Sequence, residues 1–511
     1  MPPRNVLLPA ILPVAAIACS LFLLIWRLDW IGFTWDEFID YNIVGSFAAN
    51  AAEILRNDMD PSQGRLNHMV AAPFVVLFGH TLLVFKAIYV GVGLAAAIAL
   101  FFLLSRIASR TTALLLVATF VSSPYFLTAS RSGGTSGDVL TILCTVAFCA
   151  ALGHWSARHE AGRPGWGPPA ICAVACGLGL GAKLTNGLWI PAAVIFMVLR
   201  HGWKNVWREF GHFVPIAAAV AVLAHPLLFR GPVHLWNALR HSHGFDGAKQ
   251  FLYLGEFVTN PQWYFPLFVL LAKTSPLFFA FFLWVAVRQT WSWARGGQAA
   301  LWFAVGMLVF YVDYLFLAKR FQNAQYYVPA FVAMFVICAA PVDRLLHDAR
   351  AGVRRLTYGA FALSLGLQAW INWDLWPDFA QAGRHYGSFM QGQMAGPAVN
   401  HCQGGPVTID ELNSLQRKHN LPAAYVLLHC GPIINTDNHA GPVKSLLSLP
   451  DYPIDNPPPR PHWVLVNRVY DYSEPTRADQ EFRIVQRERL LAGCRMLSRR
   501  PDGPYKIYAC E

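Results

Sequence analysis

Apolar stretches of membrane-spanning length recur along this chain until about residue 373 and then stop. A helix rises ~1.5 Å per residue, so about 20 apolar residues cover the ~30 Å hydrocarbon core of a bilayer. Spans are expected near 6–27, 82–105, 112–129, 138–154, 168–183, 186–200, 211–229, 263–287, 299–318, 322–341 and 356–373. The first run, Val6 to Trp26, carries no charge, no basic cluster ahead of it and no convincing cleavage site. It is expected to be an uncleaved anchor.

Eleven spans place the two termini on opposite sides of the membrane. The loops holding Arg106 and Arg110, Arg158 and Arg163, Lys204 and Arg208, Arg288 and Arg295, and Arg344 to Arg355 all fall on one face. With Arg4 and Arg200, that face has 14 basic residues against four acids, which makes it cytoplasmic by the positive-inside rule. The N-terminus is then inside. The loop of about residues 28 to 67 and the tail from 374 to 511 are outside. The tail contains strand-like runs at Ala424 to His429 and His462 to Val469. A closing hairpin is expected from Cys494 to Arg499 and Tyr505 to Cys510 around Pro501-Asp502-Gly503-Pro504. The reading is an all-α polytopic membrane protein of about 11 transmembrane helices, residues 1–373, with a small α/β extracytoplasmic C-terminal domain, residues 374–511.

Composition agrees. Of 511 residues, 55% are hydrophobic and 14% charged, where a soluble protein carries roughly 25% charged residues. The net charge of +11 lies in the membrane part, because residues 374–511 hold 14 Lys/Arg against 14 Asp/Glu. Short basic loops of this kind set topology, and a nucleic-acid partner is excluded. Six of the ten cysteines fall in apolar segments; Cys172 and Cys176 share a helix face there and read as buried thiols. The tail holds Cys402, Cys430, Cys494 and Cys510, enough for two disulfides in an outward-facing domain, with three connectivities open to them.

The candidate chemistry clusters on the outer face. The first loop has seven acids against Arg56 and Arg65, and its centre reads Trp35-Asp36-Glu37-Phe38-Ile39-Asp40-Tyr41. Adjacent carboxylates point in divergent directions on a helix or a strand, so Asp36 and Glu37 cannot face each other across a sugar. One can serve as a general base while the other holds structure or a metal. Arg131, Lys183, Lys273 and Arg320 sit at the outer ends of spans, where a cation either snorkels to the headgroups or meets an anionic phosphate. Asp138 opens a span after Gly133-Gly134-Thr135-Ser136-Gly137, a position that also suits plain helix capping. His241 and His243 share a side if extended, and solvated loop histidines are the ordinary reading of such a pair.

Taken together, these elements resemble the GT-C glycosyltransferases of the protein O-mannosyltransferase type, which include the bacterial lipid A aminoarabinose transferase. The resemblance rests on Asp36-Glu37-Phe38 after the first span and on Asn67-His68 through Pro73 to Leu77-Phe78-Gly79. It continues with Arg131 through Asp138, Gly181-Ala182-Lys183-Leu184-Thr185, Trp263-Tyr264-Phe265 with Lys273-Thr274-Ser275-Pro276, and Arg320 with Tyr326-Tyr327-Val328-Pro329. The two prolines that follow the histidine in the family are missing after His68.

The resemblance implies transfer of a sugar from a polyprenyl-phosphate donor on the outer face of a bacterial inner membrane, with inversion. Asp36 would be the base, with Glu37 beside it. Arg131, Lys183, Lys273 and Arg320 would receive the phosphate, and His68, Asp138, Tyr264 and Tyr326 would bind substrate. Some members use a divalent metal, for which His243 or Glu37 would serve. No nucleotide cofactor is expected, since the sugar arrives activated on lipid and the chain has no P-loop or G-x-G-x-x-G. The acceptor is a glycan, a lipid or a protein. Two other classes fit the same features: a transporter or flippase for a polyprenyl-linked glycan, and a membrane scaffold whose tail binds partners.

Overall fold

The computed structural model describes residues 7–26, 28, 35–53, 65–131, 138–226, 273–290, 298–317 and 327–375, short pieces between 251 and 271, and the strand-forming parts of the tail. The membrane part is helical: α1 (Leu7–Ile25), α2 (Trp35–Ala49), α3 (Leu66–Phe78), α4 (Leu82–Ile107), α5 (Arg110–Val121), α6 (Pro124–Arg131), α7 (Asp138–Glu160) and α8 (Gly167–Ala182). A 3₁₀ turn (Leu184–Leu188) leads into α9 (Trp189–His201), followed by α10 (Trp203–Ala224), α11 (Pro276–Thr290), α12 (Gln298–Leu317), α13 (Val328–Leu346) and α14 (Ala351–Leu375).

Each of the eleven expected spans overlaps at least one described helix. Among the described residues, five helices are long and apolar enough to cross a membrane by themselves, or six if a bent pair counts as one span. Side chains such as Leu199, Val287, Leu356 and Leu363 remain largely exposed, as lipid-facing residues should.

Three expectations need correction. The span at 112–129 is broken by a 63° bend between α5 and α6. The Ser123 Oγ accepts the Phe126 N–H at 3.2 Å and Pro124 opens α6, so a new helix starts at the break. The span at 263–287 is interrupted: residues 267, 270, 271 and 273 are helical, the helix breaks at Thr274 and Ser275, and α11 starts at Pro276, whose ring is tolerated at a helix start. The loop at 28–67 is not irregular throughout, since it contains α2 and leads into α3. Both helices are too short to span, at about 22 and 20 Å for 15 and 13 residues. They pack on each other and on α4 through Val44, Ala71, Val75, Phe85 and Tyr89. Gly79 ends α3 at φ +92°, a backbone conformation that a side chain resists.

Two close packings position the site. In α8, Gly177 and Gly181 are one turn apart and face α10, and a Cβ on Gly177 would stand 2.7 Å from Val220 and 2.9 Å from the Ala217 carbonyl. A Cβ on Gly181 would collide with Ala224. This small-xxx-small face lets the two backbones approach. Polar side chains tie α14 to the break after α5, where Asn372 donates to the Ser122 carbonyl at 2.6 Å and the Ser20 and Ser122 hydroxyls pair at 2.9 Å.

In the tail, five strands form one mixed sheet: β3 (Ala424–Leu427), β4 (Val443–Leu446), β5 (His462–Asn467), β6 (Cys494–Met496) and β7 (Tyr505–Cys510), in the order β4-β3-β5-β7-β6. A separate antiparallel pair, β1 (Phe251–Tyr253) and β2 (Glu256–Val258), lies between α10 and α11 in the chain. The strands expected at 424, 462, 494 and 505 all form. Of the described strands, β4, β1 and β2 were not anticipated.

Candidate active site

The outer loop's acids start a helix. Asp36 and Glu37 are the second and third residues of α2, where carboxylates are favoured by the backbone amides and the dipole. Their side chains lie outside the described part. What α2 does show is Asp40, one turn after Asp36 and therefore on the same stripe of the helix. Asp40 is fully buried and lies 2.7 Å, Oδ1 to Nε2, from the equally buried His68 of α3. His68, expected to bind substrate, is therefore held against a carboxylate of α2 and links the two short helices. Tyr41, on the stripe of Glu37, stacks on His80 and donates its hydroxyl to the His80 carbonyl at 2.8 Å. The two stripes of α2 are anchored separately.

The second centre is an ion pair inside the helical bundle. Asp138 opens α7, and Lys183 follows the last residue of α8 with extended backbone. The Lys183 Nζ lies 3.0 Å from Asp138 Oδ1, with the two residues 5% and 6% exposed. Asp138 thus joins a helix start to a cation, which plain capping did not anticipate. The sequence reading missed other buried polar groups. Asp313 of α12 is 7% exposed, and its Oδ2 accepts the Ala330 N–H of α13 at 3.0 Å. Tyr125 stacks on Phe331 with ring centroids 4.5 Å apart, fixing α6 against α13.

Arg131 is built into the fold. Its Nη1 donates to the Leu23 carbonyl and, at 3.2 Å, to that of Leu24, while Nη2 reaches the Trp26 carbonyl at 3.0 Å. These are carbonyls that a helix end leaves without intrahelical donors. The guanidinium, only 2% exposed, closes α1, so the expected role as a phosphate ligand competes with a structural one. Lys273 is 2% exposed just ahead of α11, beside Thr274, whose hydroxyl returns to the Leu270 carbonyl at 2.7 Å. Tyr264 packs against the main apolar core. Arg320, Tyr326 and His243 lie outside the described residues. Among the described residues no three His, Cys, Asp or Glu side chains come together as a metal site. Lys86 of α4 and Arg65, just before α3, are fully buried as well. Asp313 and Lys86 were legible as charges inside spans, a default sign of function in a membrane.

Comparison with known proteins gives three results. Residues 67–229 match the family Dolichyl-phosphate-mannose-protein mannosyltransferase. In fold, the chain matches the crystal structure of ArnT from Cupriavidus metallidurans bound to undecaprenyl phosphate at a TM-score of 0.55 and 13% identity, covering 98% of each chain. The apo state of the same protein matches at 0.52 and 13%, over 98% of this chain and 97% of that one. No curated protein matches by sequence. The resemblance carried by the motifs is thus borne out in fold along nearly the whole chain. It is borne out in sequence over 67–229, the segment that holds His68, Arg131, Asp138 and Lys183.

Proposed function

We propose that this protein is an integral-membrane glycosyltransferase of the GT-C type that takes its sugar from a polyprenyl-phosphate donor. The observation that carries the reading is the buried Asp138–Lys183 pair inside a multi-pass bundle that shares the fold of ArnT. Buried charges cost several kcal/mol per ion even after relaxation, about what good pairing returns, so such a pair is weak as a stability device. It suits a site that must receive and let go of an anion.

In the proposed reaction Asp36 takes the proton of the acceptor hydroxyl. The acceptor oxygen attacks the anomeric carbon from the side opposite the lipid phosphate. The bond from that carbon to the phosphate oxygen breaks, and the electron pair leaves with the phosphate, so the configuration inverts. The ammonium of Lys183 meets the charge that builds on the leaving phosphate. Lys273 and Arg320 would add to that, with Glu37 beside the base. Tyr264 and Tyr326 would line the sugar, and His68 would set the helix that presents Asp36. The active face is periplasmic, in a bacterial inner membrane. Should a divalent ion take part, Glu37 or His243 would hold it.

The test is release of free polyprenyl phosphate by the purified protein in lipid, given a panel of polyprenyl-phosphate sugars and acceptors. Wild type should release it, and Asp36→Asn should lower the rate at least about a hundredfold, the scale of a lost general base. Movement of intact donor across the bilayer without release would favour a flippase instead.

A further inference from the structure

Helix α10 begins before its membrane-length run does. The span expected from hydropathy starts at residue 211, whereas the helix starts at Trp203, after Gly202 turns the chain at φ +82°. Those eight residues add about 12 Å of helix. The headgroup region adds only roughly 5–7 Å to each side of the hydrocarbon core, so the extension reaches through it. Its faces are unlike. Val206, Phe210 and Phe213 are buried in the bundle. Trp203 and Trp207 stand one turn apart at 59% and 50% exposed. Lys204, Arg208 and His212 form an exposed stripe beside them at the same four-residue spacing. The single acid between residues 201 and 212, Glu209, is turned inward, where it is buried and accepts the Trp155 N–H at 2.7 Å. Arg200, one turn before Lys204 in sequence, is taken up by Glu160 at 2.7 Å. Lys204 and Arg208 make no such pair among the described residues. The Arg208 guanidinium lies instead over the Trp207 ring, 5.5 Å from its centroid.

We propose that this face of α10 holds an anionic phospholipid of the adjoining leaflet, its phosphate against Lys204 and Arg208 and the start of its acyl chains against Trp203 and Trp207. Loop charge predicts that leaflet to be the cytoplasmic one, the side remote from the proposed transfer. Charge complementarity selects the occupant. A zwitterionic headgroup brings its own cation to the two basic side chains and gains little from them, whereas an anionic headgroup gains from both. Indoles suit the boundary, since the ring is apolar and its N–H meets headgroup oxygens. Resting on Trp207 orders Arg208 without using up the N–H groups that a phosphate takes. The order Trp203-Lys204 then Trp207-Arg208 repeats the apolar and cationic partners one turn on, so both parts of one lipid find their contacts on a single helix face. Plain snorkelling would put the cations among headgroups of any kind, with no selectivity and no lipid retained.

The experiment titrates the full-length protein in detergent with phosphatidylglycerol, or with phosphatidylcholine of the same chains, and counts bound lipid by native mass spectrometry. Wild type should hold phosphatidylglycerol at least about tenfold more tightly than phosphatidylcholine, the scale of two basic residues beside an anionic headgroup. Lys204→Gln with Arg208→Gln should lose that preference. Arg208→Gln alone should weaken it about fivefold and serves should the double variant fail to fold. Arg354→Gln with Arg355→Gln removes the same charge from the exposed first turn of α14 and should keep the preference intact. An equal loss in that control would reduce the effect to diffuse surface charge and overturn the site. Equal retention of the two lipids by wild type would overturn it as well. A wild-type dimer that the α10 variants abolish would make this face an interface between copies of the chain, and the lipid proposal would fall.

Discussion

Asp138 and Lys183 depend on one another. Removing one partner of a buried pair leaves the other charge uncompensated, whereas replacing both with apolar groups of similar size is often neutral. Lys183→Met alone should therefore lower stability by about 3–5 kcal/mol, and adding Asp138→Leu should recover most of it. The double variant should still release polyprenyl phosphate far more slowly than wild type, because the ammonium that meets the leaving group is gone. Thermal unfolding in detergent and the release assay, run on the same preparations, separate the two effects. Sequence spacing singled out both residues but not their pairing, because they stand 45 positions apart with most of two helices between them. Asp313 was readable as an acid inside a span. A single acid does little to the mean hydropathy of a 20-residue helix, so length and composition do not expose it.

Helix α8 shows how an element is placed by what it lacks. Gly177 and Gly181 bring it onto α10, and that packing sets where Lys183 emerges. Gly181→Leu should push the two helices apart and cost about 1–3 kcal/mol or more, the range for overpacking. The transfer rate should fall along with the unfolding temperature in detergent. In the tail, Cys494 is disulfide-bonded and stands directly opposite Cys510 in the β6–β7 register. Peptide mapping under non-reducing conditions should recover the fragment holding Cys494 linked to that holding Cys510, settling one of the connectivities left open by counting. The short helices α2 and α3 were not legible as elements. Their lengths fall below a span, and their stability comes from packing on α4 and from the Asp40–His68 contact.

Across the whole molecule, loop charge predicts an orientation. A cysteine introduced by Ala161→Cys, in the exposed loop between α7 and α8, should react only with reagents supplied from the cytoplasmic side, while the tail should be reached only from outside. Labelling of the loop from outside would invert the topology and place Asp36 on the wrong face for a periplasmic acceptor. The recurring spans, the basic loops and the ordered motifs were all decided by the sequence alone. Each reflects a one-dimensional constraint: enough apolar length to satisfy the backbone in lipid, a charge bias across the membrane, and residue types at set positions along the chain. The site belongs to the tertiary structure. Only packing could bring Lys183 to Asp138, turn Arg131 away from solvent onto the end of α1, and bury His68 on Asp40. Such contacts join residues up to about a hundred positions apart or more, and a buried charge takes whichever partner the fold brings near, since leaving it alone costs more than any local preference can offset.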